Sequence, residues 1–207
     1  MTDPSRFQEF AEAEMRKARV QGNIGALSSL IRALPADLRQ AYAPIIGIFG
    51  HQPELQADDS ISAVGESARV GACRLALMGM HFDEEVPRWS SFMVGRLVDA
   101  VLSIPQAGVG DLFRAMWQML SARGNHLSRE TARFIREIIR DVLSRDPKKR
   151  EVDLHWLISQ PSTMTEPQAY FIYNALALAP ALFTQEVEEM ISAALRGGEF
   201  FDEFSGG

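Results

Sequence analysis

The chain has 207 residues, of which 46% are hydrophobic and 23% are charged, and its formal net charge at pH 7 is −6. This apolar content excludes a largely disordered chain, and the length suffices for one domain, or two small ones, with a sizeable core. The N-terminus lacks the apolar run of a signal peptide, and no apolar run is long enough to span a bilayer. Cys73 is the only cysteine, so no intrachain disulfide or multi-cysteine zinc site is possible, and we expect a cytosolic protein.

Apolar residues recur three and four positions apart along the first half of the chain, between capping residues, glycines and prolines. This spacing predicts helices. Five are predicted here, over residues 3–22, 23–34, 36–49, 59–80 and 83–104. The fourth is rich in alanine and glycine and is predicted to be a buried central helix. Asp83 is predicted to open the fifth helix, with Pro87 in its first turn.

The second half of the chain continues the same pattern. Its predicted helices cover residues 109–122, 128–144, 152–159, 165–180 and 184–196. No segment shows the sustained alternation of apolar and polar residues that indicates a half-buried strand. The sequence therefore predicts an all-α protein, an orthogonal or antiparallel bundle of about ten helices, with stacked helical pairs as the alternative. Residues 1–198 are predicted to form a single helical domain, with a subdivision near residue 124 left open, followed by a tail over residues 199–207.

The charges are distributed unevenly. Residues 123–150 contain nine Lys or Arg and four Asp or Glu, a net charge of +5, whereas residues 151–207 contain one Arg and nine acids, a net charge of −8. At about 100° per residue, four arginines of the helix over residues 128–144 share one narrow sector, opposite its isoleucines. We call them the arginine ridge: Arg129, Arg133, Arg136 and Arg140. The ridge is interpreted as a binding surface for phosphates or an acidic partner, and the alternative is a solvated face with local ion pairs.

The tail over residues 199–207 combines acidic and aromatic side chains. Phe200, Phe201 and Phe204 form one apolar edge if this segment coils into a turn of helix. One interpretation is a peptide that docks into the groove of a partner protein. The other is a segment packed on its own domain, with its three acids near the basic helix.

Residues 127–131, with the sequence LSRET, resemble the start of the recognition helix in winged helix-turn-helix regulators of the Crp type. The resemblance implies that Ser128, Arg129 and Glu130 contact DNA and that Ala132 and Ile135 face the core. It covers about ten of the 207 residues. Two polar residues in the preceding stretch depart from the family's pattern, and no segment that fits a β-wing follows.

No motif for catalysis, cofactor binding or metal coordination is present, so the sequence predicts no catalytic residue, cofactor or metal site. An enzyme would have to assemble its site from residues distant in sequence. The polar candidates for such a site are His81, Asp83, Glu85, His155 and Tyr170.

The sequence is interpreted as a non-enzymatic, protein-binding regulator, adaptor or inhibitor, immunity-type proteins included. The arginine ridge and the three tail phenylalanines are its predicted partner-binding residues. The alternatives are a helical enzyme and a DNA-binding regulator that uses the helix over residues 128–144. A protein partner is expected ahead of nucleic acid, and no membrane partner is expected.

Overall fold

The computed structural model describes residues 4–50, 64–160 and 163–205, and this part of the chain contains helices and no strand. The predicted all-α class is confirmed, as a multi-helix bundle. The helices, in chain order, are α1 (Pro4–Gln21), α2 (Gly25–Arg32), α3 (Ala36–Gly47), α4 (Glu66–Gly79), α5 (Ser91–Ser103), α6 (Val109–Ser121), α7 (Arg129–Leu143), α8 (Pro147–Arg150), α9 (His155–Ile158), α10 (Glu166–Ala175), α11 (Gln185–Leu195) and α12 (Phe201–Ser205). Two short 3-10 turns, Leu176–Leu178 and Pro180–Leu182, join α10 to α11.

Three predicted helix starts, at residues 128, 165 and 184, coincide with a capping side chain. The Ser128 hydroxyl accepts a hydrogen bond from the Thr131 backbone N–H, 3.2 Å away, at the start of α7. Thr165 caps α10, and Thr184 accepts from the Val187 N–H at the start of α11. These contacts satisfy backbone donors that the first turn of a helix leaves unpaired.

Three predicted starts are wrong. The helix predicted from residue 152 begins at His155. The fourth helix begins at Glu66, because Gly65 is extended, and residues 59–63 lie outside the described part of the chain. The fifth begins at Ser91, where Ser90 is the cap, so Asp83 and Pro87 belong to the preceding loop. Asp83 does not cap a helix there, because Arg19 of α1 donates a hydrogen bond to its carboxylate over 2.5 Å.

The helix predicted over residues 165–180 is also too long. It ends at Ala175, and the backbone at Ala179 (φ −145°, ψ 69°) is not helical. The residue before a proline disfavours helical geometry, because the proline ring collides with its backbone. Residue 179 therefore leaves the helical conformation, and Pro180 begins the second 3-10 turn.

One cluster of buried apolar side chains runs from Phe7 to Phe200. Helix α4 lies at its centre, where ten of its residues are buried and it packs on α1, α3 and α6. Helix α7 packs on α5 and α10. The Arg145 side chain fixes the end of α7 on α5, because it donates hydrogen bonds to Asp141 (2.7 Å) and to Asp99 of α5 (2.6 Å). Helix α7 is thus held firmly in the bundle, and it supports the side chains on its exposed face.

None of the helices in the described ranges is both long enough and apolar enough to cross a membrane.

Candidate protein-binding site

The four ridge arginines lie on the exposed face of α7. The opposite face is fully buried and includes Ala132, Ile135 and Ile138. The side chains of Arg129 and Arg140 are 84% and 73% exposed. The helical spacing therefore separates the charged and apolar faces of α7 as the sequence predicts.

A groove of about 770 Å³ runs beside the ridge, between α7 and the chain from residue 173 to residue 183. Arg133, Arg136 and Arg140 form its basic wall, and Phe183, which is 43% exposed, stands on the opposite side. The groove is lined by Ser91, Arg133, Arg136, Glu137, Ile139, Arg140, Leu143, Tyr173, Asn174, Leu176, Ala177, Pro180 and Phe183. Three arginines and one glutamate give it a net charge of +2, so it is a basic site in an acidic protein.

Glu137 is the one carboxylate of the groove, and its side chain is only 14% exposed. Burial raises the pKa of Glu137, but hydrogen bonds from Ser91 and Arg140 and the charges of Arg140 and Arg133 outweigh burial. The pKa is lowered as a result, and Glu137 stays ionised at neutral pH. Its role here is to orient Arg140, which donates to it over 2.6 Å.

Arg133 is the arginine best placed to bind a ligand. Its guanidinium lies over the ring of Trp89, 5.3 Å from the centroid. No carboxylate within the described ranges forms an ion pair with it. The stacking holds the side chain in place while its N–H groups stay open to an incoming acceptor.

Residues 199–205, which we call the C-terminal segment, lie on the protein's own surface beside the groove. Glu199 accepts a hydrogen bond from Arg129 Nε over 2.5 Å. Arg136 Nη1 donates to Tyr170 Oη (2.6 Å) and to Glu203 Oε2 (3.1 Å), and Tyr170 Oη donates to the same carboxylate oxygen over 3.1 Å. Burial raises the pKa of Tyr170, more than the Arg136 charge lowers it, so the hydroxyl remains a donor.

Aromatic rings hold the same segment. Phe200 is 5% exposed, and its ring packs on Tyr170 with centroids 5.1 Å apart. Phe204 meets Tyr173 edge to face, also at 5.1 Å. Phe201 is partly buried against the core. Of the two interpretations of the tail, the structure shows the segment packed on its own domain.

A pair of glycines joins the C-terminal segment to α11. Gly197 has a φ of +89°, a conformation that side chains with a Cβ rarely adopt. A Cβ on Gly198 would fall within 2.6 Å of the Glu166 carboxyl group. Glycine is therefore favoured at position 197 by its backbone conformation, whereas a side chain at position 198 would displace the Glu166 carboxyl group.

The residues of the winged-helix resemblance are engaged within the protein. Ser128 caps α7 and donates to the Glu85 carbonyl over 2.7 Å, and Arg129 pairs with Glu199. Ala132 and Ile135 are fully buried, as the resemblance implies. A DNA phosphate would have to compete with Glu199 for Arg129, which sets this surface apart from an open basic helix.

The five enzyme candidates do not form one site. Asp83 and Glu85 line a surface pocket of about 480 Å³, in which Asp83 already pairs with Arg19. His155 lies on α9 and Tyr170 under the C-terminal segment. Among the described residues, no group of three His, Cys, Asp or Glu side chains is arranged to hold a metal ion.

Several groove residues were not found from the sequence. Ser91 belongs to another helix, and Tyr173, Asn174 and Phe183 come from the opposite wall. One signal was present: Tyr170 and Tyr173 lie three positions apart, and Phe200 and Phe204 four, so each pair shares a helix face. That spacing is compatible with two contacts between the aromatic pairs, but only the fold shows that the pairs meet.

Comparison with known proteins finds no matching family model, no similar curated protein and no similar solved structure.

Proposed function

We propose that this chain is a non-enzymatic binding protein, a regulator, adaptor or inhibitor of a cytosolic partner protein. Its groove would hold an acidic, aromatic segment of that partner. The observation that carries the proposal is the pairing of Arg133, Arg136 and Arg140 with an apolar opposite wall in one groove. Arginine clusters bind carboxylates through directed hydrogen bonds, and the apolar wall offers a place for an aromatic anchor.

The protein's own C-terminal segment supports this choice of ligand. It places a carboxylate on Arg136 and a phenylalanine on Tyr173, and both of these residues also line the groove. The same pair of chemical groups, presented by another chain, would find the same kind of partners a few ångströms further along α7. This favours a peptide ligand, because the segment that already occupies the neighbouring surface is a peptide that presents a carboxylate and an aromatic ring together.

The spacing of the arginines limits the ligand further. Arg133 and Arg140 are seven residues apart on one face of α7, about 10 Å along the helix axis. Two acidic side chains of a ligand must span that distance, which corresponds to about three residues of an extended peptide or seven of a helix. An aromatic residue between them would then lie over Ile139 and against Phe183.

A panel of fluorescent synthetic peptides tests the proposal. Each peptide has twelve residues with two acids at varied spacing around a Phe or Trp, and a matched set carries lysines instead of the acids. Fluorescence anisotropy measures their dissociation constants. We expect members of the acidic set to bind at low ionic strength, to weaken with salt because the contacts are charged, and the lysine set not to bind.

The double variant Arg133→Glu/Arg140→Glu should weaken binding of the best peptide by about tenfold or more, which corresponds to at least about 1.4 kcal/mol. The control is Lys17→Glu/Arg32→Glu, which makes the same change in net charge on exposed residues of α1 and α2. The affinity of this control variant for the same peptide should stay within about twofold of that of the unaltered protein. Any larger difference that comes from the change in net charge should disappear when salt is added. Equal weakening by both double variants, or no binding by any acidic peptide, would refute the proposal.

A further inference from the structure

The groove and the surface beneath the C-terminal segment form one continuous face. Arg136 and Tyr173 line the groove and also contact Glu203 and Phe204 of the segment. Outside the groove, Arg129 and Tyr170 add a further guanidinium and a further phenol group to this face, and both contact the C-terminal segment or its partner Arg136. The basic, aromatic face thus extends well beyond the open groove, and the part outside the groove is already occupied.

The contacts that hold the C-terminal segment are weak enough for another ligand to replace it. Both ion pairs are open to solvent: Arg129 and Glu199 are 84% and 49% exposed, and Arg136 and Glu203 are 45% and 51% exposed. Helix α12 has five residues, far fewer than an isolated helix needs to be stable, so its structure depends on the surface below it. Only Phe200 of the three phenylalanines is buried.

We propose that the surface formed by Arg129, Arg136, Tyr170 and Tyr173 is a second recognition surface, and that the C-terminal segment is its resident occupant. An acidic, aromatic segment of a partner protein replaces it and continues into the groove. This inference rests on the proposed function, which supplies the groove half of the site. The partner's carboxylates take the places of Glu199 and Glu203, and its aromatic side chain takes the place of Phe204 on Tyr173.

Exchange has a measurable signature, because the tethered segment competes with any added ligand. The tethered segment lowers the apparent affinity for a competitor by the ratio of docked to free segment, so a change that lowers this ratio tenfold raises the apparent affinity about tenfold. A substitution that releases the segment without altering the arginine ridge should therefore raise the apparent affinity for an added ligand. Glu203→Lys is such a change, since it places a second cation against Arg136 and leaves the recognition surface intact.

The probe is a fluorescent synthetic peptide with the sequence of residues 198–207, GEFFDEFSGG. It is titrated into the full chain, into Glu203→Lys and into Glu9→Lys, which makes the same charge change at an exposed position of α1. We expect Glu203→Lys to bind it about tenfold more tightly than the unaltered chain, and Glu9→Lys to match the unaltered chain. Circular dichroism verifies folding, and Phe204→Ser replaces Glu203→Lys if that variant does not fold.

A second measurement detects displacement directly in the unaltered chain. The probe is synthesised with isotope-labelled phenylalanine, so that its fragments differ in mass from those of the protein. Saturating probe should then speed hydrogen exchange of the backbone amides at residues 200–205 and leave exchange in α4, which lies away from the site, unchanged.

The outcomes separate the two proposals. Tighter binding by the released variant, together with faster exchange of residues 200–205, supports replacement. Unchanged affinity in Glu203→Lys and Phe204→Ser, while groove peptides still depend on Arg133 and Arg140, overturns this inference and leaves the proposed function standing. Absence of binding by every acidic, aromatic peptide refutes the proposed function, and the inference fails with it.

Discussion

The C-terminal segment should depend on the Phe200 ring far more than on its ion pairs. Phe200 is 5% exposed, and burying a phenylalanine side chain stabilises a fold by about 1.5–3 kcal/mol. Its packing on Tyr170 adds about 0.5–1.5 kcal/mol. Phe200→Ala should therefore cost about 2–4 kcal/mol of docking free energy, whereas exposed ion pairs contribute less than about 1 kcal/mol each.

Native-state hydrogen exchange of the full chain measures this difference. A loss of about 2–4 kcal/mol corresponds to about 30- to 1,000-fold faster exchange of the amides in residues 201–205, up to the rate of an unprotected peptide. Glu199→Gln keeps the size of the side chain and removes only the charge at Arg129, so it should accelerate exchange by less than about fivefold. Exchange in α7 should stay nearly unchanged in both variants, because its buried face is intact.

Release of the segment by Glu199→Gln to the same extent as by Phe200→Ala would show that the ion pair, and not the aromatic ring, holds it. Release by 1 M salt in the unaltered chain would contradict aromatic docking as well, because salt screens exposed charges but does not weaken aromatic packing.

Three further predictions follow from the described contacts. Because the pKa of Glu137 is lowered in the folded protein, its charge stabilises the fold above the ordinary carboxyl range; urea unfolding should show Glu137→Gln less stable than the unaltered chain at pH 7, with the difference vanishing as the pH falls through the lowered pKa. Gly197→Ala should destabilise by about 1–2 kcal/mol in thermal unfolding because of its φ of +89°, whereas Gly95→Ala, in the middle of α5 where a Cβ meets only Asp141 at 3.6 Å, should be neutral or stabilising. Cys73 is fully buried, and burial raises the pKa of its thiol, so a thiol reagent should label it only after urea unfolding; rapid labelling of the native chain would contradict this.

The arginine ridge is the part of the candidate site that could be predicted from the sequence. Its four members are spaced three or four residues apart on a single helix, and the cap at Ser128 fixes where that helix begins. Helical geometry alone then decides that Arg133 and Arg140 share a face and that Ile135 lies opposite. The complementary charge of the tail was visible too, and one of its two interpretations matches the observed contacts.

The groove could not be predicted in the same way. Its walls come from residues 133–143 and 173–183, with Ser91 from a third helix, and no local pattern states which helices become neighbours. Tyr170 illustrates the difficulty. From the sequence it is an isolated polar candidate for catalysis, whereas in the fold it accepts a hydrogen bond from Arg136 and supports Phe200.

One error at a helix start has the same origin. Asp83 has the chemistry of a cap, but Arg19, which is 64 residues away in the sequence, binds its carboxylate. The sequence by itself thus determined the helices, their faces and the capping serines and threonines, because those depend on hydrogen bonds and side chains within about four residues. The groove, the docked C-terminal segment and the use of Asp83 were decided only by tertiary structure, because they arise from packing between side chains brought together over dozens of residues.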